Sequence, residues 1–403
     1  MEILVTLTVS VITFIFLWST VGYAYLMARL GSKHGSRIEE KSDDSVMIGF
    51  SIILPVYNEV DALHRRIENL RNLHYPKDLF EIIIVESGST DGTTDLVKDL
   101  IRNGDGEHPI IKAVFQAERR GKTSAIVEGK KSAAFDYIII TDGNSRFDNN
   151  VLIEMAGQLR KPNVGAVGGR FKIGNLGKAV PGAGFFWDME FAMRYGEAIF
   201  DSACLIHGEI SGWRKKEFEP DPRMISEDLD AAITFRKRGK KIAYAPRAIV
   251  YEDAPTEARD QVIQRRKTAL GTLMEIKKHA RYLLLPRDRY TAVIFPSHRT
   301  LPMLTPFMLL LIFVLYILIS NPIFIIGHLI ITIIAGLLLF LGLSHEIHQL
   351  KSIFDPDEID KSEMHPLRVL WFFILNEWII LLGWKDFIFG KHSVLWEKAQ
   401  TNR

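Results

Sequence analysis

The sequence predicts an α/β domain built on a mainly parallel sheet and carried between membrane-spanning helices at both ends. Three observations carry this. Short runs of β-branched and apolar residues alternate with helical stretches from Gly49 onward, no charge occurs between Glu2 and Arg29, and none occurs from Thr300 to His345. The balance of the chain agrees. Its 403 residues exceed one ordinary domain. Hydrophobic residues at 47% and a mean hydropathy of +0.08 are high for a soluble protein, whereas 24% charged residues are too many for a chain lying wholly in lipid. Fifty Lys and Arg against 48 Asp and Glu leave a net charge of +2, so no nucleic-acid partner is expected from whole-chain electrostatics. The single cysteine, Cys204, excludes an intramolecular disulfide and a cysteine-rich zinc site, and it fits a domain kept on the cytosolic side.

Taken in order, the uncharged stretch after Glu2 exceeds the roughly 20 residues needed to cross a bilayer, so residues 1–30 read as a transmembrane helix. A cleaved signal peptide would place a basic segment before a shorter apolar core, but here the chain opens Met1-Glu2. The basic residues follow instead, at Arg29, Lys33, Arg37 and Lys41. By the positive-inside rule the N-terminus faces out and the polar linker 31–47 leads into the cytosol.

A domain over residues 48–256 comes next. Its strand-like runs lie at 51–54, 82–85, 110–115 and 137–140. Runs this apolar are typical of strands buried on both faces of a parallel sheet, which makes this a Rossmann-like nucleotide-binding half. The strongest runs end in polar or small residues, at 55–59, 86–93 and 141–144, where ligands sit in an open α/β sheet.

The order P-x-Y-N-E at 55–59, G-S-T-D-G-T at 88–93, R-G-K at 120–122, D-x-N at 142–144 and S-E-D-L-D at 226–230 resembles the family 2 glycosyltransferases, which have the GT-A fold. The resemblance covers about residues 48–280. The C-terminal apolar hairpin and the closing Trp396-Glu397-Lys398 are similar to membrane-bound polysaccharide synthases of that family.

This resemblance implies a nucleotide-diphosphate sugar as donor and a divalent cation, Mg or Mn. Asp142 closes an apolar strand with Asn144 two residues on, a spacing that lets both reach one ion as oxygen ligands. The other reading of Asp142 is a strand-end aspartate capping its own turn. Pro55, Tyr57 and Glu59 stand where the family cradles the nucleoside, and Glu86 and Ser87 stand where it has an Asp pair. Asp91 either touches ligand or caps the helix beginning near Gly92. Lys122 stands beside the donor diphosphate as a point charge, or else belongs to a solvated basic turn.

Asp228 matches the family's general base. A carboxylate suits that role because a sugar hydroxyl must lose its proton as it bonds to the anomeric carbon. Glu227 is assigned to the acceptor side. Two adjacent acids cannot face the same way, so one of the pair is structural. The bland alternative is a helix N-terminus decorated with acids that its dipole stabilises. Gly208, Ser211, Gly212 and Trp213 occupy the place of the acceptor pocket; Trp213 either stacks on a sugar or fills the core. Gln264, Arg265 and Lys267 occupy the place of a donor-binding Q-x-x-R-W, with Thr268 where processive synthases have Trp.

Between Glu257 and Arg289 nine Lys or Arg face four acids. Residues 257–300 therefore read as basic amphipathic helices on anionic membrane lipids. A transmembrane hairpin at 301–344 breaks at Asn321-Pro322, and a cytosolic loop spans 345–366. Residues 367–384 form a membrane or interfacial helix, since burying Asn376 and Glu377 in lipid costs at least a few kcal/mol. In the tail, 385–403, Lys385, Lys391, Lys398 and Arg403 favour the cytosol. The chain is thus expected to be an integral membrane, inverting glycosyltransferase acting on a lipid-linked or polysaccharide acceptor at the inner leaflet. The alternatives are a polyprenyl-phosphate monosaccharide synthase and an inactive nucleotide-sugar-binding scaffold.

Overall fold

The computed structural model describes residues 2–35, 47–103, 108–356 and 366–390. In chain order its elements begin with α1 (Glu2–Leu17), α2 (Tyr23–His34), β1 (Phe50–Val56), α3 (Val60–Arg71), β2 (Phe80–Glu86), α4 (Thr93–Asn103) and β3 (Ile110–Phe115). There follow α5 (Lys122–Ser132), β4 (Tyr137–Ile140), β5 (Arg146–Phe147), α6 (Val151–Leu159), β6 (Val164–Ile173) and α7 (Ala183–Phe200). The last are β7 (Ser211–Arg214), α8 (Glu227–Lys237), β8 (Lys241–Glu252), α9 (Ala258–Leu283), α10 (Leu301–Ile317), α11 (Pro322–Phe354) and α12 (Pro366–Ile388).

The strands form one sheet in the order β3-β2-β1-β4-β7-β6-β8-β5. Its first four strands are parallel, and β7 runs antiparallel to both β4 and β6. The four apolar runs read from the sequence are β1 to β4, and Ile53, Ile83 and Ile140, which pair across them, are fully buried. Helix α5 covers this half closely: a Cβ on Gly129 would lie 2.7 Å from Ile53 and 2.9 Å from Val85. Because β1, β2 and β4 share direction and register, their exits lie side by side on one edge, with Val56 opposite Glu86. Parallel pairing alone therefore gathers three of the sequence motifs at one crevice.

The N-terminal helix passes through a π-helical turn at Trp18–Gly22 and continues to His34, beyond the expected end at 30. Its last turns belong to the domain. Tyr23, Ala24, Met27 and Ala28 join the core, and α7 approaches so closely that a Cβ on Gly196 would lie 2.0 Å from the Met27 carbonyl oxygen. Arg37, Lys41 and the closing Trp396-Glu397-Lys398 lie outside the described residues.

Among the described residues, four helical segments are long and apolar enough to cross a membrane: Glu2–His34, Tyr290–Ile317, Pro322–Phe354 and Pro366–Ile388. The fourth runs beyond the expected 367–384, to Ile388, and its mid-helix polar residues find partners. Asn376 donates to the Phe372 carbonyl (2.7 Å) and accepts from Arg265 (3.3 Å), and Thr305 donates to Glu377 (2.9 Å). Helix α12 lies along α9. Asp386 pairs with Arg266, and a Cβ on Gly383 would lie 2.7 Å from Ala269.

Candidate functional site

At the exit of β1, Asn58 adopts φ 51°, a region asparagine tolerates. Its side chain accepts from the Thr90 backbone (2.9 Å), while its own N–H reaches Ser89 Oγ (3.0 Å), which ties the ends of β1 and β2 together. Asp91 accepts from the backbone of Thr93 (3.0 Å) and of Val60 (3.2 Å), so it caps local structure rather than facing the crevice. The guanidinium of Arg119 lies 4.5 Å over the Tyr57 ring. Glu86 is spent on its own turn, accepting from Ser89 N (2.6 Å) and Gly88 N (3.2 Å), and Ser87 donates to Gln116 (2.9 Å). Pro55 is a half-buried residue of β1, and Glu59 stands at the N-cap position of α3 without a side-chain capping bond, its Cγ 3.3 Å from where Gly143 would carry a Cβ.

The turn after β4 is held from below. Buried Arg66 donates to Thr141 Oγ1 and lies 4.3 Å over the Phe147 ring, while Ser145 donates to the Asp142 carbonyl (2.9 Å). Burial pushes the Arg66 pKa down to about 9. Across the crevice, Gly121 at φ 92° lets Lys122 begin α5. The Lys122 ammonium meets Asp142 Oδ1 at 2.6 Å, Glu227 Oε1 at 3.4 Å and the Gly208 carbonyl at 2.9 Å. Burial disfavours its charge, but Asp142, Glu227 and Glu209 outweigh that and hold its pKa above the usual lysine range.

Gly208 is where these groups converge. A Cβ there would lie 3.0 Å from Lys122 Nζ, 3.5 Å from Glu227 Oε1 and 4.0 Å from Asp228 Oδ2. The adjacent acids differ: Glu227 is buried against Lys122, while Asp228 is half-exposed at the start of α8. Asp142, Glu209 and Glu252 each offer an oxygen within 4.8 Å of the other two. Burial first, and neighbouring acids second, push Glu209 up to about 7 and Glu252 well above the carboxylate range. Glu252 Oε2 is buried without a hydrogen-bond partner, and Asn144 bonds to the same carboxylate. Oxygen ligands crowded with negative charge fit a hard dication such as Mg or Mn. The residues that would hold it are Asp142, Glu209 and Glu252, with Asn144 beside them.

Sequence reasoning did not assign Glu209 and Glu252 to the metal group. The available signals were an acid at the end of an alternating strand, for Glu252, and an acid next to Gly208, for Glu209. Two expected acceptor residues do not reach the site. Trp213 is fully buried in β7 with its ring edge-to-face on Phe218 (5.6 Å), so it is a core residue with no face for a sugar. Gly212 serves sheet packing, since a Cβ there would lie 2.6 Å from Ile139. Lys267 is near enough to Glu227 to interact electrostatically. Arg265 instead stacks on Phe186 (3.8 Å) and Phe372 (4.9 Å). It lines a cavity of 820 Å³ with Gln264 and Thr268, and that cavity runs from Glu209 and Glu252 to the apolar helices.

Comparison with known proteins gives a consistent picture. The family model described as glycosyl transferase family 2 matches residues 51–216, and that of glycosyl transferase family group 2 matches residues 137–342. A poly-beta-1,6-N-acetyl-D-glucosamine synthase of Staphylococcus epidermidis is 28% identical over 53% of this chain and 52% of its own length. The chain thus spans about half the length of the first curated relatives it matches. A probable glycosyltransferase of Bacillus subtilis, YdaM, is 23% identical over 98% of this chain and 97% of that one. Among solved structures, a mannosyltransferase from Pyrobaculum calidifontis in complex with GDP-Man and Mn2+ superposes with a TM-score of 0.65 at 18% identity, covering 94% of this chain and 99% of that chain.

Proposed function

The chain belongs to glycosyltransferase family 2, and from that premise we propose that it transfers a sugar from a nucleotide-diphosphate donor to a lipid-linked or glycan acceptor at the inner leaflet, with inversion at the anomeric carbon. The observation that carries this reading is the convergence of Lys122, Glu227 and Asp228 on Gly208 beside the Asp142 carboxylate. An acceptor hydroxyl attacks the anomeric carbon as the bond to the diphosphate oxygen breaks. That bond's electron pair leaves with the nucleoside diphosphate, and the hydroxyl proton passes to Asp228. Lys122 neutralises the departing phosphate, and Lys267 stands on the same side. A divalent cation held at Asp142, Glu209 and Glu252 would neutralise diphosphate charge when bound.

In this reading the first apolar helix spans the membrane with the catalytic domain in the cytosol. Helix α12 lies at the interface, since Phe372 packs with Ala183 of α7 and Asp386 pairs with Arg266 of α9. The tail then stays in the cytosol, as its lysines favour. Thr268, small and exposed at the cavity wall, offers no aromatic platform for a growing chain, which favours addition of one or a few sugars.

The test is a screen of purified protein with a panel of nucleotide sugars and total membrane extract, followed by mass spectrometry of nucleoside diphosphate and glycosylated product. Release of diphosphate matched by an acceptor gaining one sugar mass is the expected result. No turnover of any donor would favour the inactive scaffold.

A further inference from the structure

Resting on the transferase reading above, we propose that the large cavity is the seat of a lipid phosphate: its hydrocarbon tail runs up between the apolar helices, its phosphate sits at Arg265 and Arg299, and the group it carries points at the carboxylate cluster. The acceptor is then lipid-linked, and no free glycan chain occupies this space.

The cavity has two ends of opposite character. Toward the domain it is bounded by Glu209, Glu252 and Gln264; toward the helices it is walled by Leu17, Leu337, Phe340 and Phe373. On α11 its wall extends from Leu343 back to Ile333, ten residues or about 15 Å of helix. Sugar hydroxyls against such a wall would each lose water without gaining a partner, at a cost of roughly 2–7 kcal/mol per group. A hydrocarbon chain loses nothing there and gains burial.

The charge at the junction points to an anion. Neither Arg265 nor Arg299 forms an ion pair among the described residues, and Arg299 Nε is buried without a hydrogen-bond partner. Arg265 makes one side-chain hydrogen bond, to neutral Asn376. Burial pushes the Arg265 pKa down to about 10, with the charge of Glu190 opposing the shift and that of Arg299 adding to it. The nearby acids are already engaged. Glu190 is paired with Arg194 at 2.6 Å, Glu377 accepts from Thr305, and Glu209 and Glu252 belong to the metal group. Two guanidinium groups at the mouth of an apolar cavity match a lipid phosphate, because the anion supplies their missing partner and the tail fills the remaining volume.

The experiment uses the full chain in phosphatidylcholine nanodiscs, photolabelled with diazirine-bearing farnesyl phosphate or with the matching farnesol. Labelling by the phosphate should map to α11 around Leu337 and to α12 around Phe373. It should fall at least about tenfold for farnesol and for the double variant Arg265→Gln, Arg299→Gln, as loss of charge-assisted contacts requires. Leu337→Trp, which fills the membrane end, should cut labelling on α11 with both guanidinium groups intact. Equal labelling by farnesol, labelling indifferent to these variants, or displacement by a soluble oligosaccharide as effective as by unlabelled farnesyl phosphate would overturn the lipid assignment. Inorganic phosphate displacing the probe equally well would do the same. Nucleotide-sugar binding measured on the same samples separates the two ideas. Donor binding with phosphate-independent labelling sinks the lipid site alone, whereas absence of donor binding with intact labelling sinks the transferase reading and leaves the lipid site.

Discussion

Lys122 Nζ lies 2.6 Å from Asp142 Oδ1, so the cation expected to meet the donor diphosphate is paired to a carboxylate of the metal group. In the proposed mechanism the donor phosphate draws the Lys122 ammonium, and Asp142 would be one of the residues that hold a dication. Lys122→Met should raise the donor dissociation constant by about tenfold or more, because a hydrogen bond to a charged group contributes roughly 1.5–3 kcal/mol. Calorimetric titration with the donor checks this; unchanged affinity would remove Lys122 from the diphosphate site.

Asp228 is half-exposed, with its Oδ2 4.0 Å from the Gly208 Cβ position. Asp228→Asn should abolish transfer while leaving donor affinity within a few fold, because the base acts on the acceptor hydroxyl and not on the diphosphate. Normal turnover by the variant would sink the assignment.

The metal group gives a signed set of effects. Excess chelator should stop turnover, and Asp142→Ala should remove metal-dependent donor binding. Glu252→Gln should weaken metal affinity by removing a charge, while Asn144→Asp, which adds one beside it, should tighten it. Titration of Mn by electron paramagnetic resonance reads all three variants, and full activity in chelator would refute the site.

A second buried cluster sets a pH dependence of stability. Glu275 is fully buried, 3.5 Å from His279 Nε2, and His279 meets Asp230 Oδ1 at 2.8 Å; Lys278 and Lys237 contact Asp230 and His279. Burial pushes Glu275 up to about 7. For His279 burial opposes the charge, but Asp230 and Glu275 outweigh it and raise its pKa. Both folded-state values exceed the unfolded ones, so the folded protein holds protons that the unfolded chain releases. That stability is present in full below about pH 4 and is lost as pH rises through about 7. Glu275→Gln should flatten the decline in melting temperature between pH 5 and 8, removing up to about 3 kcal/mol of it. Superimposable melting profiles for the two proteins would contradict this.

Product length tests the reduced acceptor side. With Thr268 in place of an aromatic platform and an apolar cavity wall, purified protein given donor and lipid acceptor should yield discrete short products on a sizing gel. A high-molecular-weight polymer would show that the weight placed on Thr268 is wrong.

The sequence by itself determined the parallel half of the sheet and the motifs at its edge. Strands buried on both faces need contiguous apolar residues, so the strands and the polar ends that carry Asp142 could be read from local pattern, whereas Lys122 and Asp228 were assigned by the resemblance to family 2 glycosyltransferases. The later strands were less legible. In β6 the glycines make room for neighbours remote in the chain, a Cβ on Gly165 falling 2.5 Å from Phe235 and one on Gly169 falling 2.4 Å from Ile210. Only the tertiary structure decided the rest. Glu252 reaches Asp142 because β8 returns to the sheet beside β6, and Glu209 because β7, which follows it, pairs with β4 just before Asp142, a placement that no local pattern encodes. Trp213 enters the core because β7 is held between β4 and β6. Arg265 faces the cavity because α12 packs along α9 and supplies Phe372 and Asn376. Local sequence sets what a segment does with its own backbone and faces; which distant side chains share one volume depends on how the packed elements meet.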